Sequence, residues 1–157
     1  MEFWREPDKI AEMKPTHYKH TQPGIAILWA MGAAALITLV AYLFPPHPTG
    51  ALLVLIPLAI ATALFCSLTI QINGESLKWS FGPGVISKQV ALKEIAEAEP
   101  IQNSWMNGWG IHYTRGGWLY NVSGMDAVQI TLKSGKRFRL GTDEPEALTA
   151  AIREHIS

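Results

Sequence analysis

Two charge-free apolar runs, Ile25 to Phe44 and Ala51 to Ile70, constrain this 157-residue chain more than any other feature. Only Pro45-Pro46-His47-Pro48-Thr49-Gly50 separates them. At about 1.5 Å of rise per residue, about 20 helical residues span about 30 Å, the hydrocarbon thickness of a bilayer. The pattern therefore predicts a two-helix transmembrane hairpin over residues 25–70. It divides the chain into a cytoplasmic N-terminal tail at 1–24, the hairpin, and a domain at 71–157. Within the hairpin, Ala26, Ala30 and Ala34 on one helix and Ala59 and Ala63 on the other repeat at four-residue spacing. Small residues on one face let helix backbones approach, so these five predict the packing seam, and Pro57 predicts a bend in the second helix.

Charge orients the hairpin. Lys14 and Lys19 precede the first run, Lys78 follows the second, and the connection has no Lys or Arg. The positive-inside rule then places both termini in the cytoplasm of an integral inner (cytoplasmic) membrane protein. The tail carries Glu2, Glu6, Asp8 and Glu12 ahead of a second full-length apolar run, which does not read as a secretory signal. A short surface helix near 8–14 is one reading of the tail, and His17 and His20, without a third ligand, read as solvated. The net charge is +0, with no basic excess that would suit nucleic acid. Cys66 is the single cysteine, which excludes an intramolecular disulfide and reads as a small packed hydrophobe. Nothing in the composition calls for a metal or another cofactor.

After Phe65 the apolar pattern changes from continuous to alternating. Leu68, Ile70 and Ile72 alternate with polar residues, Asn73-Gly74 signals a tight turn, and Leu77, Trp79 and Phe81 alternate again. Further strands are expected at Val85 to Leu92, Ile95 to Ile101, Ile111 to Thr114, Trp118 to Val122, Ala127 to Lys133 and Arg137 to Gly141, with turns at the glycine-rich joints. In the last of these, Phe138 and Leu140 face in while Arg137 and Arg139 face out. Thr142-Asp143-Glu144-Pro145-Glu146 then opens a helix, with cap-type residues and acids at its positive end. Ala147, Leu148, Ala151, Ile152 and Ile156 give that helix one apolar stripe. The expected fold class is α+β: about seven antiparallel strands in a barrel or sandwich, capped by a C-terminal amphipathic helix.

With these elements in place, the chain resembles the bacterial pleckstrin-homology-like (PH-like) domains of small membrane proteins. The carrying residues are the Leu68 to Phe81 hairpin, Trp109-Gly110-Ile111, the segment Gly117-Trp118-Leu119-Tyr120-Asn121-Val122-Ser123-Gly124, and Phe138-Arg139-Leu140-Gly141-Thr142-Asp143-Glu144-Pro145. The resemblance implies a seven-stranded barrel behind a two-helix hairpin, in a protein that binds rather than catalyses. It does not extend to inositol-lipid recognition, because the first turn is Asn73-Gly74-Glu75 where lipid-binding members carry basic residues.

Three function classes compete. Trp105, Trp109, Tyr113, Arg115 and Trp118 are residue types enriched at binding hot spots, and indoles also seat proteins at a bilayer interface. Lys133, Lys136, Arg137 and Arg139 put four cations into one hairpin, each able to gain about 1 kcal/mol near an acidic membrane surface. His112, Tyr113, Arg115, Asp126 and His155 are the acid–base candidates, but no nucleophile–base motif, phosphate loop or metal triad joins them. His112, between Ile111 and Tyr113, is expected to point outward from a strand. The sequence thus predicts a noncatalytic, membrane-anchored interaction or regulatory module that binds a protein partner or a second copy. The alternative is anionic-lipid sensing through the basic 133–139 hairpin.

Overall fold

The computed structural model describes residues 18–46, 49–104, 106 and 108–156. The surface helix expected near 8–14, His17 and Trp105 lie outside the described residues. The chain runs β1 (Lys19–Pro23), α1 (Ile25–Leu43), a 3-10 helix (Thr49–Val54), α2 (Leu55–Phe65), β2 (Ser67–Asn73), β3 (Ser76–Phe81) and β4 (Ile86–Ala91). A second 3-10 helix (Leu92–Glu94) leads into β5 (Ile95–Gln102), β6 (Gly110–Thr114), β7 (Gly117–Asn121), β8 (Asp126–Leu132), β9 (Arg137–Gly141) and α3 (Pro145–Ile156).

Residues 19–23, expected as tail, form a strand. β1 pairs antiparallel with β2 from Lys19↔Gln71 to Pro23↔Ser67, and the Thr21 and Thr69 hydroxyls meet across it at 2.9 Å. Pro23 is tolerated because β1 is the edge of its sheet. The two helices are therefore an insertion between neighbouring strands, closed by Gly24 N donating to Cys66 O at 2.7 Å.

The second apolar run is helical only as far as Phe65, and Ser67 to Ile70 belong to β2. An apolar run does not by itself distinguish a buried strand from a helix, and here alternation decided: Leu68, Ile70 and Ile72 are buried while Thr69 and Gln71 are not. Pro57 does not bend the middle of a helix. It is the third residue of α2, where its missing N–H costs no intrahelical bond, and the chain before it is wound as 3-10 helix. Among the described residues α1, with mean hydropathy 2.1, is the one helix long and apolar enough to cross a membrane, and Leu52–Phe65 is a shorter apolar helix. α1 and α2 touch each other; of the five alanines expected at the seam, Ala26 and Ala34 are half-buried and Ala30, Ala59 and Ala63 are exposed.

The strands form two sheets, β1-β2-β3-β4 and β5-β8-β9-β7-β6. Nine strands replace the expected seven or so, and one pair, β7 with β9, is parallel rather than antiparallel. The cause is the four-residue connection 122–125, which carries the chain from β7 past the end of β9 to β8. β9 then returns into the gap. Buried Asn121 holds this corner, its Nδ2 donating to Gly124 O at 3.1 Å and its Oδ1 accepting from Ser123 N at 3.2 Å. The end of β9 beneath it must be Gly141, because any side chain there would run into Asn121.

Leu68, Ile70, Ile72, Leu77, Trp79 and Phe81 from one sheet face Tyr120, Val128, Ile130, Phe138 and Leu140 from the other, a buried core of alternate residues. α3 lies on β5 and β8 and buries Leu148 and Ile152. Ala147, expected in its stripe, is exposed, and Thr149 is buried instead. Thr142 Oγ1 accepts from Glu144 N at 3.1 Å at the start of the helix.

This topology gives the β domain two distinct ends. At the helix-proximal end, the Gly82 amide donates to Ser67 O at 2.9 Å, and any side chain at Gly82 would strike the last carbonyls of α2. Gln22 Nε2, three residues before α1, donates to Ser123 O at 3.2 Å, and Asn103 N donates to Met125 O at 2.7 Å. The loops 82–85 and 122–125, with Asn103, Gly108 and Trp109, thus share that end. At the opposite end, Leu92 N donates to Glu75 O and Lys133 N to Glu94 O, both at 2.8 Å, which gathers turns 74–75, 92–94 and 133–136. Turn 115–116 joins them through the parallel pairing of β7 with β9.

Candidate binding cleft

An aromatic column leads from the core to the surface at the helix-distal end. Trp79 stacks on Phe138 with centroids 5.0 Å apart, and Tyr120 meets Trp79 at 5.3 Å. Trp118 lies on the same face of β7 as Tyr120, two residues earlier, and is 46% exposed. Its partner across β6, Tyr113, is 73% exposed and meets it edge-on at 5.7 Å. Lys88 of β4 reaches over from the other sheet, its Nζ 5.7 Å from the Trp118 ring centre and 5.4 Å from that of Tyr120. A cation over an aromatic face is attracted by the ring quadrupole, so Lys88 ties the two sheets where the column emerges. Lys88 is a residue that sequence reading missed, although it is in phase with Ile86 and Val90 and pairs with Trp79 on the core-facing side of β4.

The parallel pairing sets Trp118 against Phe138 and brings Arg137 alongside. The result is an open cleft of about 550 Å³ lined by Tyr113, Arg115, Trp118, Lys136 and Arg137, floored by Gly116, Gly117 and Gly135. Its lining contains no acidic residue. Gly117 is required there: its φ is +98°, and a side chain would collide with the Arg137 carbonyl. The turn presenting Arg115 is fixed by Thr114, whose hydroxyl donates to Gly117 O at 2.9 Å and accepts from Gly116 N at 3.2 Å.

The predicted site residues therefore regroup. Tyr113, Arg115 and Trp118 from the aromatic set join Lys136 and Arg137 from the basic set. Trp109, 50% exposed, is separated from them at the helix-proximal end, beside Met125 and Gly124. Lys133 is exposed at the distal turn. Arg139 is not a free cation: its Nε and Nη2 donate to Gln129 Oε1 at 3.2 and 3.1 Å, and its Nη1 donates to Asn103 Oδ1 at 3.1 Å. Gln129 in turn donates to Glu99 at 2.8 Å, so the guanidinium is one member of a polar network on the outer face of β5, β8 and β9.

Of the acid–base candidates, His112, Tyr113 and Arg115 share one cleft, whereas Asp126 and His155 lie elsewhere. Asp126 accepts from Gln102 Nε2 at 3.2 Å, and His155 Nδ1 lies 2.9 Å from Ala151 O on α3. His112 is half-buried rather than outward, with Nε2 buried and without a partner among the described residues. It shares an open cleft of about 720 Å³ with Tyr113, Arg115 and Arg139. No group of three or more His, Cys, Asp and Glu side chains among the described residues could hold a metal ion.

A second charged cluster, also missed, joins β1 to the start of α3. His20 Nε2 lies 2.6 Å from Asp143 Oδ1 and its Nδ1 lies 3.3 Å from Glu144 Oε2, so His20 is not simply solvated. Beside it, burial pushes the Tyr18 phenol up to about 12, helped by the negative charge of Glu144 and Asp143 and opposed by a hydrogen bond from Thr142. Thr142 is not well placed for that bond, since the Tyr18 hydroxyl has no partner of good geometry among the described residues, and burial is the cause that matters. The signal for both contacts, a cap rich in acids far along the chain, could not be paired with β1 before the fold was known. No protein-family model matches this chain, and a search of curated proteins finds no significant match to it.

Proposed function

We propose that this chain is a noncatalytic, membrane-anchored interaction module of PH-like type, which binds a protein partner through the cleft formed by Tyr113, Arg115, Trp118, Lys136 and Arg137. The observation that carries this reading is the convergence of exposed aromatic and cationic side chains in one acid-free cleft, pointing away from the helices. The PH-like reading is supported by two packed sheets with a C-terminal helix against one of them, and by the sequence resemblance.

Membrane anchoring is supported by arm lengths. The 19 residues of α1 rise about 28 Å at 1.5 Å each. The 6 residues of 3-10 helix at about 2.0 Å and the 11 of α2 at 1.5 Å also rise about 28 Å. Both arms therefore match the hydrocarbon core of a bilayer despite their different windings, and 3-10 geometry lets the shorter arm keep pace. Neither helix buries any residue, which leaves their apolar surfaces for lipid. With the basic residues Lys19 and Lys78 on the domain side, the cleft faces the cytoplasm.

The anionic-lipid reading is less well supported for the membrane the helices enter. Arg139 is occupied by Gln129 and Asn103, and Lys133, Lys136 and Arg137 lie at the distal end. Seven residues of β2 separate the two ends by about 20 Å, more than twice the roughly 8 Å over which salt screens charge. The test is site-specific photocrosslinking of the full chain in its native membrane from positions 113 and 118, with position 150 on α3 as control. A discrete protein adduct from 113 and 118, lost in Arg115→Glu/Arg137→Glu, is expected. Adducts only with phospholipid would replace this reading by lipid sensing.

A further inference from the structure

Charge is distributed unevenly over the turns of the β domain. The three helix-proximal loops, 82–85, 103–109 and 122–125, contain no Lys, Arg, Asp or Glu. Each distal turn carries at least one charged residue: Glu75, Lys93 and Glu94, Arg115, and Lys133 with Lys136. The β9–α3 connection leaves from the helix-proximal end, with Thr142 N donating to Asp126 O at 3.1 Å and Asp143 and Glu144 following, so the uncharged surface is that of these loops and not of the whole end.

The same loops expose large apolar side chains. Val85 is 75% exposed, Met125 52% and Trp109 50%. Outside the helical insertion the described residues expose only three other large hydrophobic side chains, Met106, which lines a cleft with Tyr113 and Arg115, and Tyr113 and Trp118 themselves. Val85 belongs to the turn whose Gly82 lies against the end of α2, and Met125 to the connection that Gln22 grips just before α1. Trp109 and Met125 line one shallow cavity of about 250 Å³. The apolar loops are thus continuous with the points where both helices leave the domain, and no flexible linker separates them, since α2 ends at Phe65 and β2 starts at Ser67.

We infer that Val85, Trp109 and Met125, on these loops, form a membrane-docking surface that seats the helix-proximal end of the domain in the interfacial layer of the bilayer its own helices enter. Indole and thioether side chains suit that layer, where an apolar body and weakly polar groups coexist. Being uncharged, the loops bind through apolar burial, so docking does not depend on anionic lipid or on salt. The consequence is orientation: the strands stand away from the membrane and the aromatic–cationic cleft is held at their far end. This inference rests on the reading that α1 and α2 enter a bilayer.

The experiment uses the full chain with Cys66→Ser, carrying one cysteine at a time, Val85→Cys, Trp109→Cys or Met125→Cys. Ser134→Cys in the distal turn and Leu36→Cys in α1 serve as references. Each is labelled with an environment-sensitive fluorophore and reconstituted in phosphatidylcholine vesicles with or without phosphatidylserine. The expected result is blue-shifted emission at 85, 109 and 125, quenching by nitroxides near the lipid headgroup, and several-fold weaker quenching by aqueous iodide than at 134. Neither salt nor phosphatidylserine changes it. Labels at 85, 109 and 125 as open to iodide as 134, with 36 quenched by lipid, would overturn docking and leave anchoring intact. Iodide access at 36 would overturn both. A blue shift that requires phosphatidylserine would overturn the apolar docking mode.

Discussion

The two ends of the β domain are built from the same strands yet differ in chemistry. At the helix-proximal end the uncharged loops 82–85 and 122–125, with Trp109, expose apolar side chains at Val85, Trp109 and Met125; at the distal end the turns are charged and frame Tyr113 and Trp118 with Arg115, Lys136 and Arg137. Strand alternation sets the core but leaves the turns free, so the turns can be specialised at each end without altering what lies between. The contrast teaches that one small core supports two surfaces of opposite character, about 20 Å apart along a seven-residue strand.

Removing the shared support should have the largest effect. Leu148→Ala would empty a fully buried site between α3 and the sheet, costing about 2–5 kcal/mol, and should lower the denaturant midpoint of the detergent-solubilised protein while weakening both ends together. The glycines separate the ends. Gly117→Val forces a left-handed residue onto a β-branched side chain and into the Arg137 carbonyl, with about 1–3 kcal/mol of backbone strain before the collision is counted. It should abolish crosslinking from the distal cleft and leave the fluorophore at 125 unchanged. Gly82→Val, against the end of α2, should do the reverse. Loss of both signals in either variant would show that the ends are not independent.

Charge reversal in the cleft acts more narrowly. Arg115→Glu and Arg137→Glu sit on exposed side chains, so folding stability should move by no more than about 0.5 kcal/mol while partner crosslinking falls. The smallest effect concerns neither end. Tyr18 is neutral in the fold up to about 12 but ionises near 10 when unfolded. The unfolded chain therefore loses its proton first as pH rises, and the stability this group contributes, fully present below pH 10, declines between pH 10 and about 12. Tyr18→Phe should flatten that part of the alkaline unfolding profile measured by circular dichroism.

Much of the local structure was legible in sequence. Alternation marked β2, β3, β8 and β9, turn glycines marked their joints, and the apolar stripe with its acidic cap marked α3, because each depends on neighbours a few residues apart. The boundary of the second apolar run was misread at Ile70, since Leu68 and Ile70 satisfy a buried strand as well as a helix. Ala147 and Thr149 exchanged places because a stripe drawn from apolarity alone ignores which side of α3 meets β5.

The sequence by itself determined the two apolar runs, the alternating strands and the terminal helix, because hydrophobic periodicity is written in adjacent residues. Tertiary structure alone decided that β1 pairs with β2 around the insertion, that β7 lies parallel to β9 so Trp118 meets the basic hairpin, that Arg139 is held by Gln129 and Asn103, and that the uncharged loops share one end. Each of these joins residues distant in the chain. Their pairing is selected by packing and hydrogen-bond satisfaction across the whole core, and no local pattern encodes it.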